Sequence, residues 1–160
     1  MRRKILLGLL IILVAIQFIR PAKNQSAGIS VNDISKAYDV PENVNIVLKK
    51  SCNDCHSNNT VYPWYSKIQP IAWWLDGHID EGKTELNFSE FASYSPKKQH
   101  HKLEEVIESV KEGHMPIKSY TWIHKNAILT DSEKLTVSEW ADNLRKEIRT
   151  KHDLPVEEEK

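Results

Sequence analysis

The only two cysteines of this 160-residue chain stand three positions apart, in Cys52-Asn53-Asp54-Cys55-His56. C-x-x-C-H is the attachment signature of c-type haem. With two residues between them, the thiols reach the two vinyl groups along one porphyrin edge and form thioethers, and the next residue brings an imidazole nitrogen to the iron. The expected chemistry is one covalent haem c held by Cys52 and Cys55, with His56 as an axial ligand. For the opposite side of the iron the sequence offers Met115, the only methionine after the initiator, in Gly113-His114-Met115-Pro116. Thioether opposite imidazole is the ligation that raises the reduction potential of cytochromes c. The plain alternative is that Met115 fills a gap in the core. Its neighbour His114 cannot easily face the metal together with it. His78 is the rival distal ligand, because it shares a helical stripe with Trp74 and Leu75; its ordinary role would be a half-buried histidine satisfied by a hydrogen bond or water. His100, His101 and His124 read as surface or hinge residues.

Three other chemistries compete for the same residues. An open distal side would make the domain a haem peroxidase or a sensor of gas or redox state. Without haem, Cys52 and Cys55 would form a thiol-disulfide pair, a role that belongs in a βαβ setting. A structural zinc site would need Cys52, Cys55, His56 and a further histidine.

Near the signature lie Tyr62-Pro63-Trp64-Tyr65 and Trp73-Trp74. A porphyrin must be walled from water to hold its potential, and Trp64 and Trp74 are the walls the sequence offers. Aromatic residues also dominate any small core, so only one or two of the cluster are expected to touch haem.

Compartment follows from the N-terminus. Met1-Arg2-Arg3-Lys4 is a basic stretch, and residues 5–19 are apolar apart from Gly8 and Gln17. Fifteen helical residues reach roughly 22 Å, short of a ~30 Å hydrocarbon core, a length that suits a signal peptide. No small-x-small cleavage site follows directly, which favours an uncleaved signal anchor. The positive-inside bias then leaves the N-terminus in the cytoplasm and the domain in the periplasm, outside the bacterial cytoplasmic membrane. The formal charge is zero overall, yet from Asn24 onward 17 basic residues face 22 acidic ones, a balance of −5. Such a domain has no electrostatic footprint for nucleic acid. It suits a basic redox partner protein, a respiratory-chain component among the candidates.

Four helices must position these groups. One opens at Pro41-Glu42, buries Val44, Val47 and Leu48, and delivers the cysteines at its end. A second runs from Pro70, carries Ile71, Trp74, Leu75, His78 and Ile79 on one stripe, and should stop at Gly82. A third follows Pro96, with Leu103, Val106, Ile107 and Val110 in line, and ends at Gly113. The fourth is announced by the capping box Thr130-Asp131-Ser132-Glu133 and buries Val137, Trp140, Leu144 and Ile148. No strand pattern is present, so the expected fold is all-α: a small cytochrome c-like helical domain around one haem, preceded by an anchor or signal helix. The expected layout is anchor or signal peptide over 1–23, tether over 24–40, haem-binding domain over 41–150 and a charged tail over 151–160.

Taken together, the motifs resemble the bacterial haem-binding domain proteins, small exported C-x-x-C-H proteins. The resemblance runs from about Val44 to Trp140. It rests on Cys52-Asn-Asp-Cys-His-Ser-Asn-Asn-Thr60, Tyr62-Pro-Trp-Tyr65, Pro70-Ile-Ala-Trp-Trp74, Glu81-Gly82, Leu86-Asn-Phe-Ser89, Gly113-His-Met-Pro116 and Trp140. It implies covalent haem at Cys52 and Cys55 with His56 as axial ligand, and an electron-transfer role. Lys83 and Phe91 depart from the pattern, which favours arginine and tryptophan there.

Overall fold

The computed structural model of the chain describes residues 1–155; the last part of the expected tail, 156–160, lies outside the described residues. Among the described residues the regular structure is entirely helical, with one isolated bridge between Gln25 and Asn59. Eight α-helices follow one another: α1 (Arg2–Ile16), α2 (Ile34–Ala37), α3 (Glu42–Ser51), α4 (Asn53–His56), α5 (Ile71–Glu85), α6 (Pro96–Glu112), α7 (Lys118–Ile123) and α8 (Asp131–Lys151). Short 3-10 turns occupy Trp64–Lys67, Phe88–Ser93 and Lys125–Ala127.

Local chemistry sets the helix ends. Ser95 caps α6 by accepting from the Lys98 amide, Pro96 supplies its first turn, and Gly113 closes it at φ 75°, where only glycine is unstrained. In α8 the Thr130 hydroxyl accepts from the Glu133 amide and the Glu133 carboxylate accepts from the Thr130 amide, a closed capping box. Helix α3 carries Glu42 in its first turn and Lys49 and Lys50 in its last, each sign complementing the helix dipole.

Helices α6 and α8 pack along one another, and α3 lies against α8. Their apolar stripes meet in one core that includes Val44, Leu48, Leu103, Ile107, Trp140, Leu144 and Ile148, joined by Phe88 and Phe91. A smaller cluster of Tyr65, Leu75 and Ile79, with Cys55 and Tyr62 against it, ties α5 to the cysteine segment.

Two expectations change. The segment 24–40 does not hang free as a tether: Ile34 is buried in the main core, Tyr38 and Val40 pack on it, and the Asn24 amide side chain donates to the Ser57 carbonyl at 2.8 Å. The second predicted helix does not stop at Gly82 but continues to Glu85, and it buries Ala72, Leu75, Ile79 and Gly82 while Ile71 and Trp74 stay exposed. Gly82 on the buried stripe lets the Cys55 segment come close, which the apolar pattern alone does not encode. Helix α1 has 15 residues, the length of the apolar run, and no helix among the described residues is long and apolar enough to cross a membrane.

Candidate functional site

One cavity of about 450 Å³ lies between α3, α4, α5, α6 and the loop after α6. This is within the range of small-molecule and cofactor sites. Cys52, Cys55 and His56 line it together with Leu48 and Val110, and His78, Gly82, Lys102, Met115 and Tyr120 complete much of the wall. The cysteine pair, the adjacent histidine and both candidate distal ligands therefore share one enclosure.

The geometry of the signature starts at the junction of α3 and α4. The Cys52 amide still donates to the Leu48 carbonyl at 2.9 Å, and the Cys52 carbonyl then accepts from the amides of Cys55 (3.1 Å) and His56 (2.9 Å). This reversal turns the residues of one short helix toward the cavity. The His56 Nδ1–H donates to the Leu86 carbonyl oxygen at 2.9 Å; a carbonyl only accepts, so the proton sits on Nδ1 and the lone pair on Nε2. Such a bond on the far ring nitrogen is the usual device for fixing the tautomer and orientation of a ligating imidazole. Burial pushes the His56 imidazole below its ordinary pKa, against the opposing effect of its backbone hydrogen bonds at Leu86 and Gly82. The neutral, metal-binding form is thereby favoured.

Both sulfurs are free thiols. Burial pushes the Cys52 thiol up to about 12, with the neighbouring Cys55 adding to the effect, and burial followed by the Asp54 charge pushes Cys55 up to about 11. Reactive dithiols show the opposite shift.

Gly113 and the end of α6 fix the Met115 loop. The Ser109 carbonyl accepts from the amides of His114 at 2.9 Å and Met115 at 3.1 Å, folding the chain back over the helix end. Met115 lines the cavity, whereas His114 is exposed and faces Glu112 at 3.2 Å. His78 also lines the cavity; its ring meets Trp74 edge-on at 4.4 Å, and its Nδ1 lies 3.6 Å from the Glu81 carboxylate.

Trp64 and Trp74, expected as porphyrin walls, are not among the cavity residues. Trp64 is 75% exposed and meets Tyr65 edge-on, and Trp74 is 45% exposed and packs on the cavity residue His78. The walls are aliphatic instead, from Leu48, Leu86, Val106, Val110 and Ile117, together with Phe88.

Sequence reasoning missed Tyr120. Its hydroxyl donates to Asp54 Oδ2 at 2.7 Å, while Asp54 Oδ1 accepts the Val61 amide at 2.9 Å. Burial and the Asp54 hydrogen bond raise the Tyr120 pKa, holding it as a donor. His124 stacks on the Tyr120 ring at 4.2 Å and bonds the Tyr65 hydroxyl at 2.6 Å, so it is part of this network rather than a hinge residue. His100 likewise is buried, not a surface residue. Helix α7 is too short to show a periodic stripe, and the only signal for Tyr120 was an acid inside the C-x-x-C spacer that needs a partner.

A polar belt holds the segment after His56. Asn58 donates to Glu90 at 2.8 Å, Asn87 donates to Asn58 at 2.8 Å, and the Ser89 hydroxyl accepts the Asn58 amide at 3.1 Å. Lys83 donates to Asn24 Oδ1 at 2.7 Å. Lys102 crosses from α6 to α5, donating to Glu85 at 3.1 Å and pairing with Glu105 at 2.6 Å.

No curated protein and no solved structure matches the chain. The model of one family does match, over residues 11–143, and its description is a haem-binding domain. A match of that length takes in α3 through most of α8 and every residue of the cavity, and the chain belongs to the haem-binding domain family.

Proposed function

We propose that the protein is a c-type cytochrome-like carrier of one electron, with a single haem joined through thioethers to Cys52 and Cys55 and ligated by His56 Nε2 and the Met115 thioether. The observation that carries this reading is the shared enclosure: both sulfurs, an imidazole with its far nitrogen already committed to Leu86, and the single candidate thioether line one largely apolar cavity. Bound haem supplies a ferric/ferrous couple, and the chain's own residues exclude water, fix the imidazole and set the surrounding charge. Glu81, Glu85, Glu105 and Glu108 border the cavity against one cation, Lys102, which favours a partner with a basic docking face. The proposed setting is the outer side of the bacterial cytoplasmic membrane, where a respiratory-chain component would be within reach.

The deciding experiment is expression with haem-attachment machinery, followed by haem staining of a denatured gel and the oxidised absorption spectrum. A stained band and the weak long-wavelength sulfur-to-iron band are expected; colourless protein with two titratable thiols overturns the reading. A second reading, an open distal side binding peroxide or a diatomic gas, draws on the partial exposure of Met115. Rapid carbon monoxide binding to the reduced protein would favour it. The thiol-disulfide reading is opposed by the raised thiols, and the zinc reading finds no metal-holding group of three or more His, Cys, Asp or Glu among the described residues.

A further inference from the structure

Gln17 is the polar interruption near the end of the apolar N-terminal run, and its side chain is committed. Its Nε2–H donates to the Gln69 carbonyl at 3.2 Å, and its Oε1 accepts the Gln69 amide at 3.0 Å. Gln69 is 2% exposed and donates onward through Nε2 to the Ile19 carbonyl at 2.7 Å. The Trp73 indole N–H donates to the same carbonyl at 3.1 Å. Four hydrogen bonds thus pin the exit of α1 to the corner where the chain enters α5.

The surface continuous with that clamp is apolar. Leucines, isoleucines and Val14 of α1 are exposed on every side of the helix, a pattern that suits lipid and not water. Phe18 and Ile19 continue it, and Ile68, Ile71 and Trp73 are exposed on the corner beside them. Residues 17–23 and 63–73 contain no acidic residue, while Arg20, Lys23 and Lys67 are exposed there. Tryptophan among cations is the composition of a membrane interface, and anionic headgroups attract such cations.

Length supplies the reason for the corner. The 15 residues of α1 reach about 22 Å, which leaves it roughly 8 Å short of a hydrocarbon core. An apolar corner fixed to its end extends the lipid-compatible surface over that shortfall.

We propose that Ile68, Ile71 and Trp73, clamped to α1 through Gln17 and Gln69, form a foot that beds in the headgroup region of an anionic bilayer and holds the haem domain in one orientation. The inference rests on the reading of α1 as a retained anchor. Along α5 the cavity residues His78 to Glu85 begin five residues beyond Trp73, so the site stands within about 20 Å of the foot.

The test uses the full chain with haem attached, in vesicles of phosphatidylcholine and phosphatidylglycerol. Co-sedimentation reads the anchor. A photoactivatable lipid with its reactive group at headgroup depth reads the foot, with cross-links to residues 68–73 expected by peptide mass spectrometry. Haem linear dichroism in oriented bilayers reads the clamp: Gln17→Leu keeps α1 apolar and sedimenting but lowers the dichroism at least twofold. Protein that sediments without cross-links to residues 68–73, or Gln17→Leu with unchanged dichroism, overturns the foot while leaving the anchor standing. Protein that fails to sediment overturns both.

Discussion

A β-carbon at Gly82 would stand 2.8 Å from the carbonyl oxygen of Cys55 and 3.0 Å from its β-carbon. Helix α5 therefore passes α4 at a distance that only glycine permits, and this contact sets the cysteine segment against the cavity. Gly82→Ala should gain up to about 1 kcal/mol of helix propensity and lose ~1–3 kcal/mol to overpacking against backbone that cannot swing aside. The expected balance is a net loss on the order of 1 kcal/mol, measured by urea unfolding, together with a lower yield of covalent haem. A variant more stable than wild type would show that α4 can move away freely.

Met115 and His78 both line the cavity, but only Met115 sits on a loop fixed by two hydrogen bonds to Ser109. Met115→Ala should abolish the sulfur-to-iron band and lower the reduction potential, and His78→Ala should leave the band in place. An oxidised wild-type spectrum that lacks the band and changes with His78→Ala but not with Met115→Ala would transfer the distal role to His78.

Tyr120→Phe removes the hydroxyl that meets Asp54 and leaves that carboxylate with the Val61 amide as its neighbour. A hydrogen bond to a charged group contributes about 1.5–3 kcal/mol, and partial exposure places this one toward the lower end. Thermal unfolding should show the loss, and the haem potential should fall as the Asp54 charge is less well compensated. No change in either quantity would leave Tyr120 as a packing residue.

Glu133 connects α3 to α8. The Lys50 ammonium first, and the Thr130 amide second, hold its carboxyl below its ordinary value of 4.5. The folded state thus binds its proton less readily than the unfolded one, so this contribution is present above about pH 4.5 and is lost as pH falls through the lower folded value. Glu133→Gln keeps the capping geometry and removes the charge. It should cost up to ~1 kcal/mol at pH 7, since the pair is partly solvated, and the two proteins should converge in acid. Parallel stability curves from pH 7 to pH 3 would contradict the assignment.

The sequence alone determined the helical class, the two distant helix boundaries at Pro96 and Thr130, and the residues proposed to hold haem, because these follow from local chemistry: capping, 3.6-residue periodicity and the fixed reach of C-x-x-C-H. Tertiary structure decided the rest. It ran α5 past Gly82, since that glycine serves a contact with Cys55 rather than a helix end. It left Trp64 in solvent and gave the cavity aliphatic walls, because which side of an aromatic cluster faces inward depends on segments distant in the chain. It joined Asp54 to Tyr120 and Gln17 to Gln69, pairs separated by 66 and 52 residues. Their selection depends on shape and desolvated hydrogen bonding, and no local pattern records either.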